Sequence, residues 1–323
     1  MTQLRVQGLF GAQGRVFGRL VFGPSMEGTI AAARRASESP LPVLITGESG
    51  VGKELVAEAI HGAGPLSRGP FVPLNCGGLP NGLVESELFG HVRGAYTSAE
   101  GSRPGAFVAA EGGTVFLDEV GELSLSTQAT LLRALETSRV RPVGSEYERR
   151  FDARVIAATN RDLDELVAAS VFRADLVYRL DVLRVHVPPL RARAEDIRLL
   201  APAILERQGL RCQITRRGLE ALETYAWPGN VRELRNVLMR AAQAGGPIID
   251  RTHVLDALER RNPESSLPGA TLKASVHAHA SELFTSSEGN ARRAAQLLGV
   301  PRSTFYRWLK TGQVRTLRMA GGG

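Results

Sequence analysis

Apolar positions between residues 22 and 190 fall into two alternating rhythms. Short runs at residues 43–46, 71–75, 114–117, 155–159 and 183–187 are rich in apolar residues, which predicts strands. Stretches with helical spacing separate them, as in Glu54-Leu55-Val56-Ala57-Glu58-Ala59-Ile60. Strands alternating with helices predict an α/β fold, a mostly parallel sheet with helices on both faces. From residue 194 to about residue 260 the spacing is helical with no strand, which predicts a smaller α-helical domain. Asn262-Pro263-Glu264-Ser265-Ser266-Leu267-Pro268-Gly269 predicts a linker, and residues 271–311 a compact helical module. The expected division is a leader at 1–21, an α/β subdomain at 22–190, a lid at 191–260, a linker at 261–271, a helix-turn-helix at 272–312 and a tail at 313–323.

The first strand runs straight into Gly47-Glu48-Ser49-Gly50-Val51-Gly52-Lys53 and then into a helix. Strand, glycine-rich loop and helix are the context of a phosphate-binding P-loop. Glycines let backbone N–H groups converge on phosphate oxygens, and the helix N-terminus adds partial positive charge. Lys53 is placed to reach the β- and γ-phosphates of ATP. The residue after it is Glu54, where the general pattern has a Ser or Thr that holds Mg²⁺. A plain strand-to-helix turn would need none of this chemistry. The third strand ends in Asp118-Glu119, which supplies the other half of a hydrolytic site. Asp118 is the candidate Mg²⁺ ligand, and Glu119 the residue that polarises the attacking water.

Composition adds three limits. The chain has 323 residues, enough for two or three domains, and no apolar run long enough for a membrane helix. No signal-peptide pattern opens it, and Cys76 and Cys212 make neither a disulfide framework nor a metal spacing, which fits a reducing cytoplasm. The net charge of +7 is uneven: +6 of it falls in residues 261–323. A basic end on a nearly neutral body points to a nucleic-acid binder, although a solvated tail has the same charge.

The residues there carry more than charge. In Asn290-Ala291-Arg292-Arg293-Ala294-Ala295-Gln296-Leu297-Leu298-Gly299, the residues Ala294, Leu297 and Leu298 share one helix face and Gly299 ends the helix. A second helix starts near Ser303, with Phe305 and Leu309 facing inward. Arg302, Ser303, Thr304, Tyr306, Arg307 and Lys310 are left for a DNA major groove or its phosphates.

Taken together, these motifs resemble the AAA+ ATPases of the bacterial enhancer-binding family, the activators of sigma-54 RNA polymerase, over about residues 22–310. That family's phosphate loop itself has Glu after the Lys, so the resemblance includes Glu54. It implies that Asn75, at the end of the second strand, restrains Glu119 until the γ-phosphate is sensed. Asn160 in Ala158-Thr159-Asn160-Arg161 resembles the first sensor. Arg173 and Arg179, in Phe172-Arg173-Ala174-Asp175-Leu176-Val177-Tyr178-Arg179-Leu180, resemble arginine fingers that act in a neighbouring subunit. Arg232, in Trp227-Pro228-Gly229-Asn230-Val231-Arg232, resembles the second sensor, with Asn230 as cap of its helix.

Gly94-Ala95-Tyr96-Thr97-Ser98-Ala99 resembles the family's GAFTGA loop, which grips sigma-54. It departs at Tyr96, which adds a hydroxyl, and at Ser98, which replaces a glycine. The basic end resembles a Fis-type DNA-binding domain. The resemblance therefore implies an ATP- and Mg²⁺-dependent activator that binds upstream DNA, forms a homo-oligomer from dimer to hexamer ring, and remodels sigma-54 polymerase. The alternative is a DNA-binding AAA+ regulator or repressor whose altered loop opens no sigma-54 promoter. With only about 21 residues before the core, control is expected from expression level, from a longer natural chain or from a separate regulatory protein.

Overall fold

The computed structural model describes residues 15–78, 81–95, 101–259 and 290–297, together with Phe284, Ser287 and Phe305. It opens with a hairpin, β1 (Arg15–Phe17) and β2 (Leu20–Phe22), followed by α1 (Glu27–Ser37), β3 (Val43–Thr46), α2 (Lys53–Ala63), β4 (Phe71–Asn75) and α3 (Asn81–Phe89). A short ribbon, β5 (Gly90–His91) and β6 (Arg103–Pro104), precedes α4 (Ala106–Ala109), β7 (Thr114–Asp118) and α5 (Leu125–Thr137). A second ribbon, β8 (Arg139–Val140) and β9 (Arg149–Arg150), leads to β10 (Arg154–Thr159), α6 (Leu163–Ala168), α7 (Ala174–Leu180) and β11 (Leu183–His186).

Five strands form one parallel sheet in the order β11-β3-β10-β7-β4. Successive side chains of a strand point to opposite faces, so a strand covered on both sides needs apolar residues at every position. The middles of the central strands β3, β7 and β10 obey this rule, whereas Arg184 and His186 of the edge strand β11 are exposed. Val43, Ile45, Phe116, Ile156 and Ala158 enter one core with Ile30, Ala33, Val56 and Ile60 of α1 and α2. Leu44, Val115, Leu117, Val155 and Ala157 enter the other with Leu88, Leu131, Leu163 and Leu176 from the opposite helices. The strands match the runs in the sequence to within a residue at each end. Phe17, Leu20 and Phe22 belong to the first core, so the edge expected at 21/22 falls inside a hairpin packed with the α/β subdomain.

Beyond β11 lie α8 (Ile197–Arg207), β12 (Gln213–Ile214), α9 (Arg216–Glu223), α10 (Asn230–Gly245), β13 (Ile248–Ile249) and α11 (Arg251–Glu259). Leu234, Val237, Leu238 and Ala241 make the buried stripe of α10 at helical spacing. One expectation is corrected here: the lid contains a strand pair, the parallel β12 and β13. Two residues per strand are too few for an alternation to register in sequence. Near the C-terminus α12 (Ala291–Leu297) buries Ala291, Ala294 and Ala295. Phe284 and Phe305 meet with ring centroids 6.0 Å apart, and Phe305 is buried. No helix among the described residues is long and apolar enough to cross a membrane.

Candidate nucleotide site

Parallel α/β sheets hold ligands at the carboxyl ends of their strands. Here β3, β10, β7 and β4 end at Thr46, Thr159, Asp118 and Asn75, with Thr46 in register with Thr159 and Asn75 with Asp118. The chain leaves β3 through Gly47 and enters α2 at Lys53, whose N-cap, Gly52, offers no side-chain cap. The first-turn N–H groups of α2 are thus left for an anion. Gly52 has φ +104 and nothing within 4 Å of where a Cβ would stand, so the loop opens toward a ligand on this side. A cavity of about 310 Å³ lies there, lined by Gly50–Lys53, Asp118, Glu119 and Arg232 and, at its apolar end, by Leu20, Val21, Leu200 and Ile204.

Lys53 is only 6 % exposed. Its Nζ donates to Gly47 O at 3.0 Å and Glu48 O at 3.3 Å, and lies 3.5 Å from Glu119 Oε1. The other carboxylate oxygen of Glu119 accepts the Asn160 N–H at 3.2 Å. Glu119 sits at φ +54, a left-handed conformation uncommon for a residue with a Cβ, and Asp118 Oδ1 accepts its N–H at 3.1 Å. The strained turn directs two adjacent carboxylates to different jobs, with Glu119 suspended between the lysine and the β10 end. Burial, then the Glu119 charge, push the Asp118 carboxyl up, and Lys53 offsets part of this. A divalent cation at Asp118 would do the same more strongly. No cluster of three or more metal-ligating side chains exists among the described residues. Glu54 is exposed at the cavity wall. Cys76 is buried beside these acids; burial and the charges of Asp118 and Glu119 push its thiol up to about 12, so it is inert.

The lid closes over the loop through four consecutive residues. Glu48 receives Arg191 through both guanidinium nitrogens, at 2.8 and 2.5 Å, and Asn230 Nδ2 at 3.1 Å. Ser49 O accepts Asn230 Nδ2 at 3.0 Å, and Ser49 Oγ meets Arg232 Nη1 at 3.0 Å. Gly50 O accepts the Arg232 N–H at 3.2 Å, and Val51 O accepts Arg193 Nη2 at 2.9 Å. Arg191 and Asn230 hold the Glu48 carboxyl at about 2. Burial lowers the Arg193 guanidinium.

Several expectations change on contact with this geometry. Asn75 Oδ1 accepts the Gly77 N–H at 2.9 Å and does not hold Glu119, whose oxygens are taken by Lys53 and Asn160. Asn160 meets Glu119 through its backbone. Asn230 does not cap α10. It is fully buried and its Oδ1 accepts the Leu190 N–H at 2.8 Å, while Glu233 accepts the Gly229 N–H at 2.6 Å. Arg191 and Arg193 were not singled out from the sequence. Their signal was two arginines just past the Pro188-Pro189 turn that ends the last sheet strand, at the edge where ligands bind.

Arg173 and Arg179 do not line the cavity. Arg173 donates Nε and Nη2 to Asp175 at 3.1 and 2.7 Å, and Arg179 Nη2 donates to Leu135 O at 2.9 Å. Both are exposed on α7 or its cap, beside Tyr178, which is 81 % exposed. Gly94 and Ala95 lead out of the β5–β6 ribbon, Gly94 at φ +81, while Tyr96, Thr97, Ser98 and Ala99 lie outside the described residues. Arg302, Ser303, Thr304, Tyr306, Arg307 and Lys310 also lie outside them.

Residues 21–186 match the family model described as the Sigma-54 interaction domain, and residues 191–270 the AAA+ ATPase lid domain. The chain is 44 % identical over 313 residues to a protein of Geobacillus stearothermophilus named limonene hydroxylase, covering 92 % of this chain and 57 % of that protein. It is 42 % identical over 294 residues to the transcriptional regulatory protein GlrR of Escherichia coli, covering 88 % and 66 %. Among solved structures, NtrX of Brucella abortus in complex with ATP matches with a TM-score of 0.63 at 31 % identity, covering 90 % of this chain and 68 % of that one. The chain thus spans about three fifths to two thirds of the length of these relatives.

Proposed function

The chain belongs to the sigma-54 activator family of AAA+ ATPases, and from that premise we propose that it hydrolyses ATP to remodel sigma-54 RNA polymerase at promoters. The observation that carries the reading is Glu119, held between Lys53 Nζ and the Asn160 N–H at the mouth of a phosphate loop. A carboxylate there can orient and deprotonate a water in line with the γ-phosphate, while Lys53 exchanges its two loop carbonyls for phosphate oxygens. Mg²⁺ at Asp118 would neutralise charge on the β- and γ-oxygens. Asp118 and the uncapped α2 N-terminus are the residues that fit such a complex. The hydroxylation named for the Geobacillus relative is not carried over, since the cavity here is built around a phosphate loop.

Because Arg173 and Arg179 do not line the cavity of their own chain, the proposal places them in the site of a neighbouring copy. An interface of that kind is heterologous and would close into a ring where its rotation closes, with the hexamer that the family resemblance implies. The loop at 94–99 would transmit hydrolysis to sigma-54, and the basic module at 272–312 would hold the ring at upstream DNA.

The test is open-complex formation by the purified protein on a sigma-54 promoter, beside ATP turnover. Open complexes that require hydrolysis are expected. Turnover without them points to the DNA-binding regulator whose loop, with Tyr96 and Ser98, has another partner. Restoration by Tyr96→Phe with Ser98→Gly would place the fault in the loop. Absence of turnover would remove the ATPase reading itself.

A further inference from the structure

Four consecutive phosphate-loop residues, Glu48, Ser49, Gly50 and Val51, are each bonded to the hinge or the lid. A phosphate loop needs no such ties to bind phosphate, because its donors are backbone N–H groups and a lysine. Gly50 shows how close the two surfaces are: a Cβ there, at φ +77, would stand 2.6 Å from Gly229 O and 3.1 Å from Arg232 Cβ.

We propose that Glu48, Arg191 and Asn230 form a positioning triad that transmits phosphate-loop occupancy to the lid. Three features argue for transmission over simple adhesion. The Glu48 carboxylate is shared between the hinge, through Arg191, and the first residue of α10, through Asn230, so one side chain fixes both ends of the lid entry. Asn230 is fully buried and uses its whole amide, Nδ2 toward the loop and Oδ1 toward Leu190, so its position follows the loop and the hinge at once. Arg232, two residues on, is bonded to the same loop and lines the nucleotide cavity. A small shift of the loop therefore cannot occur without moving the start of α10, because packed and fully bonded elements move as units. Glu48, held at about 2, stays ionised across the working range of the protein. Glu48, Arg191 and Asn230 are positioning residues here: they act through the loop backbone and the lid.

This inference rests on the nucleotide-binding reading of the site. The experiment is hydrogen exchange of the full chain with and without ADP, at ADP concentrations saturating for each variant, read at the amides of residues 231–238. The wild type is expected to gain at least about tenfold protection on binding. Glu48→Gln and Arg191→Gln are each expected to lose most of that gain. The double variant is expected to lose no more than either single, since residues acting as one unit are non-additive. A full gain in both single variants overturns the triad, and additive losses reduce it to two independent contacts. Should Glu48→Gln fail to fold, Arg191→Gln, altered at an exposed side chain, carries the test by itself. A wild-type protein that binds no ADP sinks the nucleotide site together with this inference, whereas binding with an unresponsive lid sinks only the inference.

Discussion

The phosphate-loop end of the sheet and the α7 segment both present charged groups suited to phosphoryl chemistry, yet they are built differently. At the loop end, Lys53 is buried and Asp118 and Glu119 are partly covered, and they are bonded to backbone groups or to each other. On α7, Arg173 and Arg179 are exposed, tied only to Asp175 and to one carbonyl. Groups that must not move are held by the strand ends. Groups that must leave for another molecule are held by bonds that water can replace at little cost. On the proposed reading, the contrast separates a part of the site complete within one chain from a part that a second copy would complete.

The sharpest way to break this comparison is a mixing experiment. Arg173→Ala is expected to lower kcat by about 10³–10⁵. Glu119→Gln, which removes the base, is expected to lower it by about 10²–10⁴. An equimolar mixture of the two inactive proteins should regain turnover above either, because some sites then combine an intact Glu119 with a neighbour's intact Arg173. No recovery would return the arginines to a surface role. Next in size, Gly50→Ala is expected to destabilise the protein by about 2–4 kcal/mol, combining a left-handed alanine with overlap against Gly229 O. Thermal unfolding measures this, and an unchanged melting temperature would show that loop and lid are not in contact.

A smaller effect follows from Glu48. Its carboxyl titrates at about 2 in the folded chain against an ordinary 4.5. The depressed value means that its stabilising contribution is fully present above pH 4.5 and is lost as the pH falls from there toward 2. Glu48→Gln should flatten the stability profile in that window and lower the plateau above it by an amount that does not vary with pH. A change confined to neutral pH would contradict the assignment. Smallest of all, Asp175→Asn frees Arg173 from its exposed clamp. The melting temperature should stay where it is, and turnover should change by no more than about threefold. A large loss would mean that Asp175 aims Arg173 and does more than screen it.

Much of the sheet end was legible along the chain. The strand-loop-helix around Gly47–Lys53 and the apolar strand ending in Asp118-Glu119 are local patterns. Local patterns survive in sequence because neighbouring residues make the structure. The lid entry was less legible. Asn230 reads as a helix cap, since an Asn after Pro-Gly has that role nearby, but its amide is spent on Glu48 and Ser49, 182 and 181 residues away. Arg191 and Arg193 read as ordinary surface arginines until the hinge brings them to Glu48 and Val51.

By itself, then, the sequence determined the α/β class, the order of strands and helices, the phosphate loop and its acid pair. Those follow from periodicity and from residues close together in the chain. Only the tertiary structure decided which partner each polar side chain takes. It decided that Glu119 rests on Lys53 and Asn160 and not on Asn75, and that Glu48 faces the lid. It also decided that Arg173 and Arg179 do not line the cavity of their own chain. The reason is physical: a buried hydrogen bond is chosen by what the packed cores bring within about 3 Å, and separation along the chain carries no record of that distance.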